Sequence, residues 1–451
     1  MAQLKLKNLP KIHNKAIKIF HLPYEIHAPH LRKIHIPQKV HTFDAFKTTN
    51  YRYLWISHAI FSSVFWLQQV VIGWTAYQIT QSAFLTSVIM GLDVLPVLIG
   101  APFGGLISDK FDKRKLLGLI YIYQSIIIAI FGIVAIMGHI ETWHIFVFVF
   151  LIGVARSVHD PTKFSLMSTI ISKDGLVNAI ALNSMAFSLM QLFIPALGGL
   201  LIALIGVGPI LIIEATVIIF AGIMIQFIKI SKSDMQSTPS LKKAFPEMRV
   251  GFSFVASNPI IIGFMGTSCM MIMLVIPFIN GLMPVYAADI FKVGPTGLGV
   301  LLSALGLGSF LSTILLASFR NISKPGVVGF LILILLSISM FAMSLNNIYS
   351  LGLIIVMFTS GAMMSYFNIA IATVQRLTPN HLRGRVTGIY MMSWGSVSIG
   401  GILLGTLASV FGVQIATFIG AGILAFCIFI GFIVFKKMRV YDTTSYSIKP
   451  L

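Results

Sequence analysis

Twelve apolar stretches, each about as long as a bilayer is thick, run from Tyr53 to Phe435. A hydrocarbon core about 30 Å thick takes roughly 20 apolar residues of helix to cross. Inside it, every backbone N–H and C=O must find a partner within the segment or on a protein neighbour. A chain patterned this way is confined to a bundle of membrane-spanning helices. The expected spans are 53–78, 84–107, 116–138, 142–166, 176–204, 209–230, 260–286, 295–319, 326–345, 349–372, 384–410 and 412–436. The sequence is 57% hydrophobic and 10% charged, a balance that a water-soluble globule of 451 residues does not sustain.

The cations alternate with the spans. They sit beside Asp109 (Lys110, Lys113, Arg114, Lys115) and at Lys173. They recur in the central connection (Lys229, Lys232, Lys242, Lys243, Arg249), then at Arg320, Lys324, Arg376, Arg383 and Arg385. The connections 80–82, 138–143, 206–209, 345–349 and 411–413 hold no lysine or arginine, and the one around Asp289 holds Lys292. The positive-inside rule puts the basic loops and both termini in the cytoplasm. The net charge of +19 therefore points to an anionic inner leaflet and not to nucleic acid. Cys269 and Cys427 both fall inside spans, which argues against disulfide, zinc or iron–sulfur roles. The first 46 residues lack the apolar core of a cleavable signal.

Five segments follow: a basic, histidine-rich cytoplasmic tail (1–46), a first six-helix bundle (47–230), a cytoplasmic linker (231–258), a second bundle (259–436) and a cytoplasmic C-terminal tail (437–451). Pro239, Pro246 and Pro259 break the linker, which leaves room for a surface helix over 241–254. The histidines of the tail (His13, His21, His27, His30, His35, His41) are irregularly spaced and match no metal-ligand motif. The bundles echo each other. Pro195-Ala196-Leu197-Gly198-Gly199 and then Gly206-Val207 in span five answer Ser398-Ile399-Gly400-Gly401 and then Gly412-Val413 in span eleven. Two six-helix units of the same sidedness are parallel repeats about an axis along the membrane normal.

The sharpest local motif follows span two: Gly104-Gly105-Leu106-Ile107-Ser108-Asp109-Lys110-Phe111-Asp112-Lys113-Arg114-Lys115. Small glycines let helices approach, Asp109 can accept hydrogen bonds at the membrane face, and the basic run anchors a tight turn. This motif resembles the loop signature of the major facilitator superfamily, with Gly105 and Asp109 at its interval. Three further passages are similar to the branch of enterobactin, multidrug and macrolide exporters. The first is Tyr51-Arg52-Tyr53-Leu54-Trp55 with Trp66-Leu67-Gln68-Gln69, Trp74 and Thr80-Gln81-Ser82-Ala83. The second is Asp160-Pro161 with Asn178-Ala179-Ile180-Ala181-Leu182-Asn183-Ser184. The third is Pro379-Asn380-His381-Leu382-Arg383-Gly384-Arg385-Val386. Two departures stand out: Ile194 replaces the first glycine of the exporters' span-five motif, and the second-half loop signature is eroded to Phe319-Arg320-Asn321-Ile322-Ser323-Lys324. The resemblance implies a conformational latch made of Gly105, Asp109, Arg114, Arg383 and Arg385.

Ionisable groups inside the spans mark cargo or proton handling, because an isolated charge at mid-membrane costs about 2.5–3.5 kcal/mol on insertion scales. Asp93, Arg156, Asp160 and Glu214 are the candidates, with Arg156 able to pair with Asp93 or Asp160. The alternative role for them is internal ion pairing that only fixes packing. Gln68, Gln69, Gln191 and Asn368, with Trp66, Trp74, Phe187 and Tyr366, could line an amphipathic pocket. No phosphate-binding loop and no nucleophile–base pair appears, so neither an enzyme nor a cofactor is expected.

The sequence thus reads as an all-α protein of 12 transmembrane helices in two bundles: a monomeric secondary transporter of a bacterial inner membrane. It is expected to export an amphipathic drug, macrolide or siderophore in exchange for protons. Uptake or flipping of a nutrient or lysolipid, and a non-transporting sensor or assembly partner, are the other readings it allows.

Overall fold

The computed structural model describes residues 43–98, 100, 107–108, 111–172, 175–229, 241–318, 322–379 and 382–443. The histidine-rich segment up to Thr42, Gly105, Asp109 and their loop lie outside the described residues.

All regular structure among the described residues is helical. The first half holds α1 (Thr49–Thr80), α2 (Ala83–Leu92), α3 (Lys113–Ile136), α4 (Thr142–Ile170), α5 (Leu176–Ile205) and α6 (Val207–Gln226). A surface helix, α7 (Leu241–Ser257), follows. The second half holds α8 (Pro259–Ile290), α9 (Gly294–Ser318), α10 (Pro325–Ser344), α11 (Tyr349–Leu377), α12 (Arg383–Phe411) and α13 (Val413–Val434), before a short α14 (Lys436–Val440). Among the described residues, eleven of these are long and apolar enough to cross a bilayer, and in the place of span two the apolar helix is described over Ala83–Leu98.

Local chemistry sets the boundaries. Gln81 takes a left-handed φ of 47° and ends α1, while the Ser82 hydroxyl accepts from the Leu85 amide to start α2. Asp112 caps α3 by accepting from the Arg114 and Lys115 amides at 3.0 and 3.3 Å. Asn258 caps α8 in the same way, ahead of Pro259. Gly206 (φ 78°) joins α5 to α6 and Gly412 (φ 86°) joins α12 to α13, so the sequence echo between spans five and eleven corresponds to the same backbone turn in each half.

Span two differs from the continuous helix over 84–107 that the apolar run predicts. The helix breaks at Asp93 and Val94 and resumes over 95–98. Pro96 explains this: it has no N–H to give to the Leu92 carbonyl, and its ring crowds the turn before it. In α8 the same chemistry produces wide π-helical turns at Phe278–Leu282 and Tyr286–Ile290, on either side of Pro284.

The halves mirror each other. In the first, α1 packs on α5 and α6, and α3 on α6 and α4. In the second, α9 and α10 pack on α11, α10 on α13, and α8 on α12. Two helix pairs, α5 with α9 and α2 with α12, make the main joint between them. Glycine sets the spacing there. A Cβ on Gly199 would stand 2.3 Å from the Pro295 carbonyl oxygen, and one on Gly299 would stand 2.2 Å from that of Pro195. A Cβ on Gly401 would meet the Ser87 carbonyl at 2.8 Å, and Ser398 Oγ donates to the Gly91 carbonyl at 2.9 Å.

Candidate functional site

The bend at Asp93 is pressed against α4 at Gly153. A Cβ there would lie 2.7 Å from the Asp93 carbonyl oxygen and 2.9 Å from Pro96 Cγ, so only glycine admits the contact. Arg156 follows three residues later on the same face of α4, and its Nη1 pairs with Asp93 Oδ2. The side chains keep 21% and 16% of their exposure, so the pair sits at a cavity wall and not in sealed packing. The guanidinium carbon lies 4.6 Å over the Phe65 ring. Gln68, Gln69, Met90 and Ile152 complete a small cavity around the pair, and Gln69 Oε1 is buried there without a hydrogen-bond partner.

One turn further along α4 a second polar chain begins. Ser57 Oγ donates to the Tyr121 hydroxyl at 3.1 Å, and that hydroxyl shares a 3.1 Å hydrogen bond with His159 Nε2. His159 Nδ1 lies 3.0 Å from Asp160 Oδ1, which also accepts from Lys163 Nζ at 3.4 Å. The His159 ring is fully buried and stacks on Phe61 with centroids 3.7 Å apart. Of the two partners open to Arg156, the structure pairs it with Asp93 and gives Asp160 to His159 and Lys163.

Glu214 is fully buried between helices of the first half. Gln68 is the polar side chain facing it, yet neither carboxylate oxygen has a hydrogen bond of normal geometry. Burying an unmet carboxylate is costly, so Glu214 lowers the stability of the first half where it stands.

The other expected pocket residues scatter. Gln191 lies in the joint, where its Oε1 accepts from Ser309 Oγ of α9 at 3.1 Å. Asn368 is half-buried on α11. Trp66 and Phe187 pack on each other with centroids 5.2 Å apart. Tyr366 is fully buried and bonded to Thr267, a packing role and not a lining one. Of the latch residues, Arg114 donates to the Ile228 carbonyl at 3.0 Å and ties α3 to the end of α6. Arg383 reaches the Thr378 carbonyl at 3.4 Å, and Arg385 packs against Gly251 of α7.

Reading the sequence missed four features. Lys163 was legible from its i,i+3 spacing to Asp160, although it sits inside a span. His58, whose Nε2 lies 3.2 Å from the Asn183 carbonyl, and Tyr121 carry no sequence signal. The fourth is a bond across the joint, from the Tyr77 hydroxyl of α1 to Asp289 of α8.

Two mirrored sets of membrane helices, joined through α2/α12 and α5/α9 with an ion pair at the cavity wall, make the architecture of a membrane transporter of the major facilitator superfamily and not that of an enzyme. The chain belongs to the transmembrane secretion effector family of that superfamily, which matches residues 40–450. It is 23% identical over 297 residues to macrolide efflux protein A of Streptococcus pyogenes, covering 65% of this chain and 71% of that one. It is 21% identical over 379 residues to the staphyloferrin A transporter of Staphylococcus aureus, covering 80% and 90%. Its fold is that of the inward-facing, occupied crystal structure of a bacterial homolog to the human lysosomal transporter Spinster, with a TM-score of 0.68, 13% identity, and 87% and 98% of the two chains covered.

Proposed function

We propose that this chain is a proton-coupled exporter of an amphipathic small molecule, acting as a monomer in a bacterial cytoplasmic membrane by alternating access. The observation that carries the reading is the Asp93–Arg156 pair. A carboxylate and a guanidinium are held at the wall of a cavity inside the membrane half, next to the unmet Gln69 amide oxygen. A proton taken up by Asp93 would release Arg156 from its partner and so change what holds α2 to α4. The cavity beside the pair, about 10 Å³, has room for a water and not for the cargo itself. An inward proton falling through 100 mV releases about 2.3 kcal/mol, enough to concentrate cargo by tens of fold. The similarity to macrolide efflux protein A supports efflux as the direction.

With the basic loops on the cytoplasmic side, Tyr77–Asp289, Gly73 against Pro284 and Gly199 against Gly299 all lie toward the outer face. They would close it and leave the carrier open inward. The domain organisation proposed is bundles at 47–230 and 259–436, a linker at 231–258 and cytoplasmic tails. In it, Gly105, Asp109, Arg114, Arg383 and Arg385 would hold the inner face closed in the opposite state.

The test is accumulation. A deletion strain should accumulate macrolide or siderophore to a higher level than its parent, and an uncoupler should abolish the difference. Lower accumulation in the deletion strain would instead mean uptake. Labelling of Lys113 by an impermeant reagent added to intact cells would reverse the sidedness.

A further inference from the structure

In the second half, α9 and α10 both lie on α11 and not on one another. A furrow is left between them, open toward the lipid. Small side chains make it: a Cβ on Gly308 would stand 1.9 Å from the Met357 carbonyl oxygen, so α9 and α11 close up there and α10 is held away. Two cavities of about 580 and 570 Å³ share Ser312, Leu315, Ile332 and Ser365, and together they run the furrow from Met357 down to Lys324.

The lining makes no demand for a polar guest. Ser312 Oγ donates to the Ser309 carbonyl at 2.9 Å, and Ser339 Oγ donates to that of Leu336 at 2.8 Å while accepting from Thr359. Apart from the Ser365 hydroxyl and the Ser323–Lys324 end, what remains open is hydrocarbon, with Leu315 62% and Phe358 63% exposed. An extended apolar chain fits such a furrow; a sugar, a peptide or a folded polar cargo does not.

The mouth is the opposite. Lys324 is exposed at the N-terminus of α10, where Pro325 has no N–H and Gly326 is buried. The Lys324 ammonium, at the positive end of the helix dipole, favours an anion. Thr443 clips onto the same place: its amide donates to the Ser323 carbonyl at 2.8 Å, and its own carbonyl accepts from Arg376 Nη2 at 3.2 Å. Gly326 abuts the Met438 carbonyl, which brings α14 and its Lys437 and Arg439 alongside. Asp442 is the acid of this neighbourhood, against the cations Lys324, Arg376, Lys437 and Arg439.

We propose that this furrow is a binding site for one anionic glycerophospholipid, with its phosphate at Lys324 and the α10 N-terminus and an acyl chain laid along α9, α10 and α11. The lipid comes from the leaflet at the Lys324 end, on the opposite face of α9 from its joint with α5. Because α9 also carries Gly299 and Gly306 into that joint, the bound lipid braces a helix that must move in transport. The site stands whether or not the exported cargo is the one proposed.

Native mass spectrometry of the delipidated full chain, exposed to phosphatidylglycerol and phosphatidylcholine of equal chain length, tests this. The wild type should retain phosphatidylglycerol about five-fold more than phosphatidylcholine, the preference one well-placed cation supplies near a membrane surface. Lys324→Gln should bring the two lipids close to parity. Ser365→Phe, and separately Ser312→Phe from the opposite wall, should lower retention of both lipids while the protein stays monodisperse. Equal retention by the wild type, or a folded Ser365→Phe and Ser312→Phe that keep the lipid, would overturn the proposal. Displacement of phosphatidylglycerol by an equal concentration of free fatty acid would also overturn it, since the anchor would then not be a phosphate.

Discussion

The two halves solve the same packing problem with different chemistry. Inside the helices of the first half stand His58, Asp93, Arg156, His159, Asp160, Lys163 and Glu214. In the second half, α9, α10 and α13 contain no ionisable residue other than Cys427, and the charges of α8, α11 and α12 sit at their ends, at Asp289, Arg376, Arg383 and Arg385. Its buried polar contacts are made by hydroxyls, among them the pairs Thr267 with Tyr366, Ser268 with Tyr390 at 2.9 Å, and Tyr286 with Thr417 at 3.0 Å. A hydroxyl pair fixes helix positions without changing charge, whereas the first half can change its internal interactions by gaining or losing a proton. On the proposed reading, energy coupling belongs to the first half, and the second is the body it moves against.

The strongest way to break that division is at Asp93. Removing one member of a buried ion pair leaves the other uncompensated, a cost of about 3 kcal/mol for a pair that keeps some exposure. Asp93→Asn and Arg156→Gln should each lower the thermal midpoint and cut proton-dependent flux in proteoliposomes by roughly a hundred-fold. The double variant should recover stability and not flux. Full flux in Asp93→Asn would move coupling elsewhere.

Next in size is the joint. Gly199→Leu and Gly299→Leu each force backbone apart where no space exists. Both should raise labelling of a cysteine placed at Ser303, buried in the joint, several-fold and to the same degree, because the contact is reciprocal. A response in only one variant would mean that the halves do not move as matched bodies.

Glu214→Gln sharpens the comparison in the other direction. It replaces an unmet buried carboxylate with a neutral group of the same shape, and should raise stability by about 1–2 kcal/mol in thermal unfolding. A fall of that size would show that the carboxylate has a partner in solution.

The smallest effect compares one hydroxyl from each half. Tyr121→Phe and Tyr390→Phe should each cost about 1 kcal/mol of stability. Only Tyr121→Phe, which cuts the chain from Ser57 to Asp160, should change how flux depends on external pH. An equal change in Tyr390→Phe would remove the distinction between the halves.

Much of this molecule was legible before any coordinates. The helix ends fall within a few residues of the apolar runs because hydrocarbon thickness and turn chemistry act locally, at Gln81, Asp112, Asn258 and Gly206. Asp93 and Arg156 stood out because charge is rare at that depth, and their pairing was one of two options the spacing allowed. The bend at Asp93 was readable in Pro96 but hidden by the unbroken apolar run around it. The bonds of Tyr121 to Ser57 and His159, and that of His58 to the Asn183 carbonyl, were not legible, since they join residues of four helices that look like ordinary helix interior.

By itself the sequence determined what any membrane-spanning chain must declare locally: where helices start and stop, which loops are basic, and which spans carry charge. The tertiary structure alone decided which charge met which, that Gln191 serves the joint, that Tyr366 serves packing, and that α9 and α10 part over α11 to leave a furrow. Those outcomes depend on how closely helices approach, which glycines such as Gly153, Gly299 and Gly308 set through contacts with residues far away in the chain. Each such contact is a relation between two distant positions, and no single stretch of sequence states it.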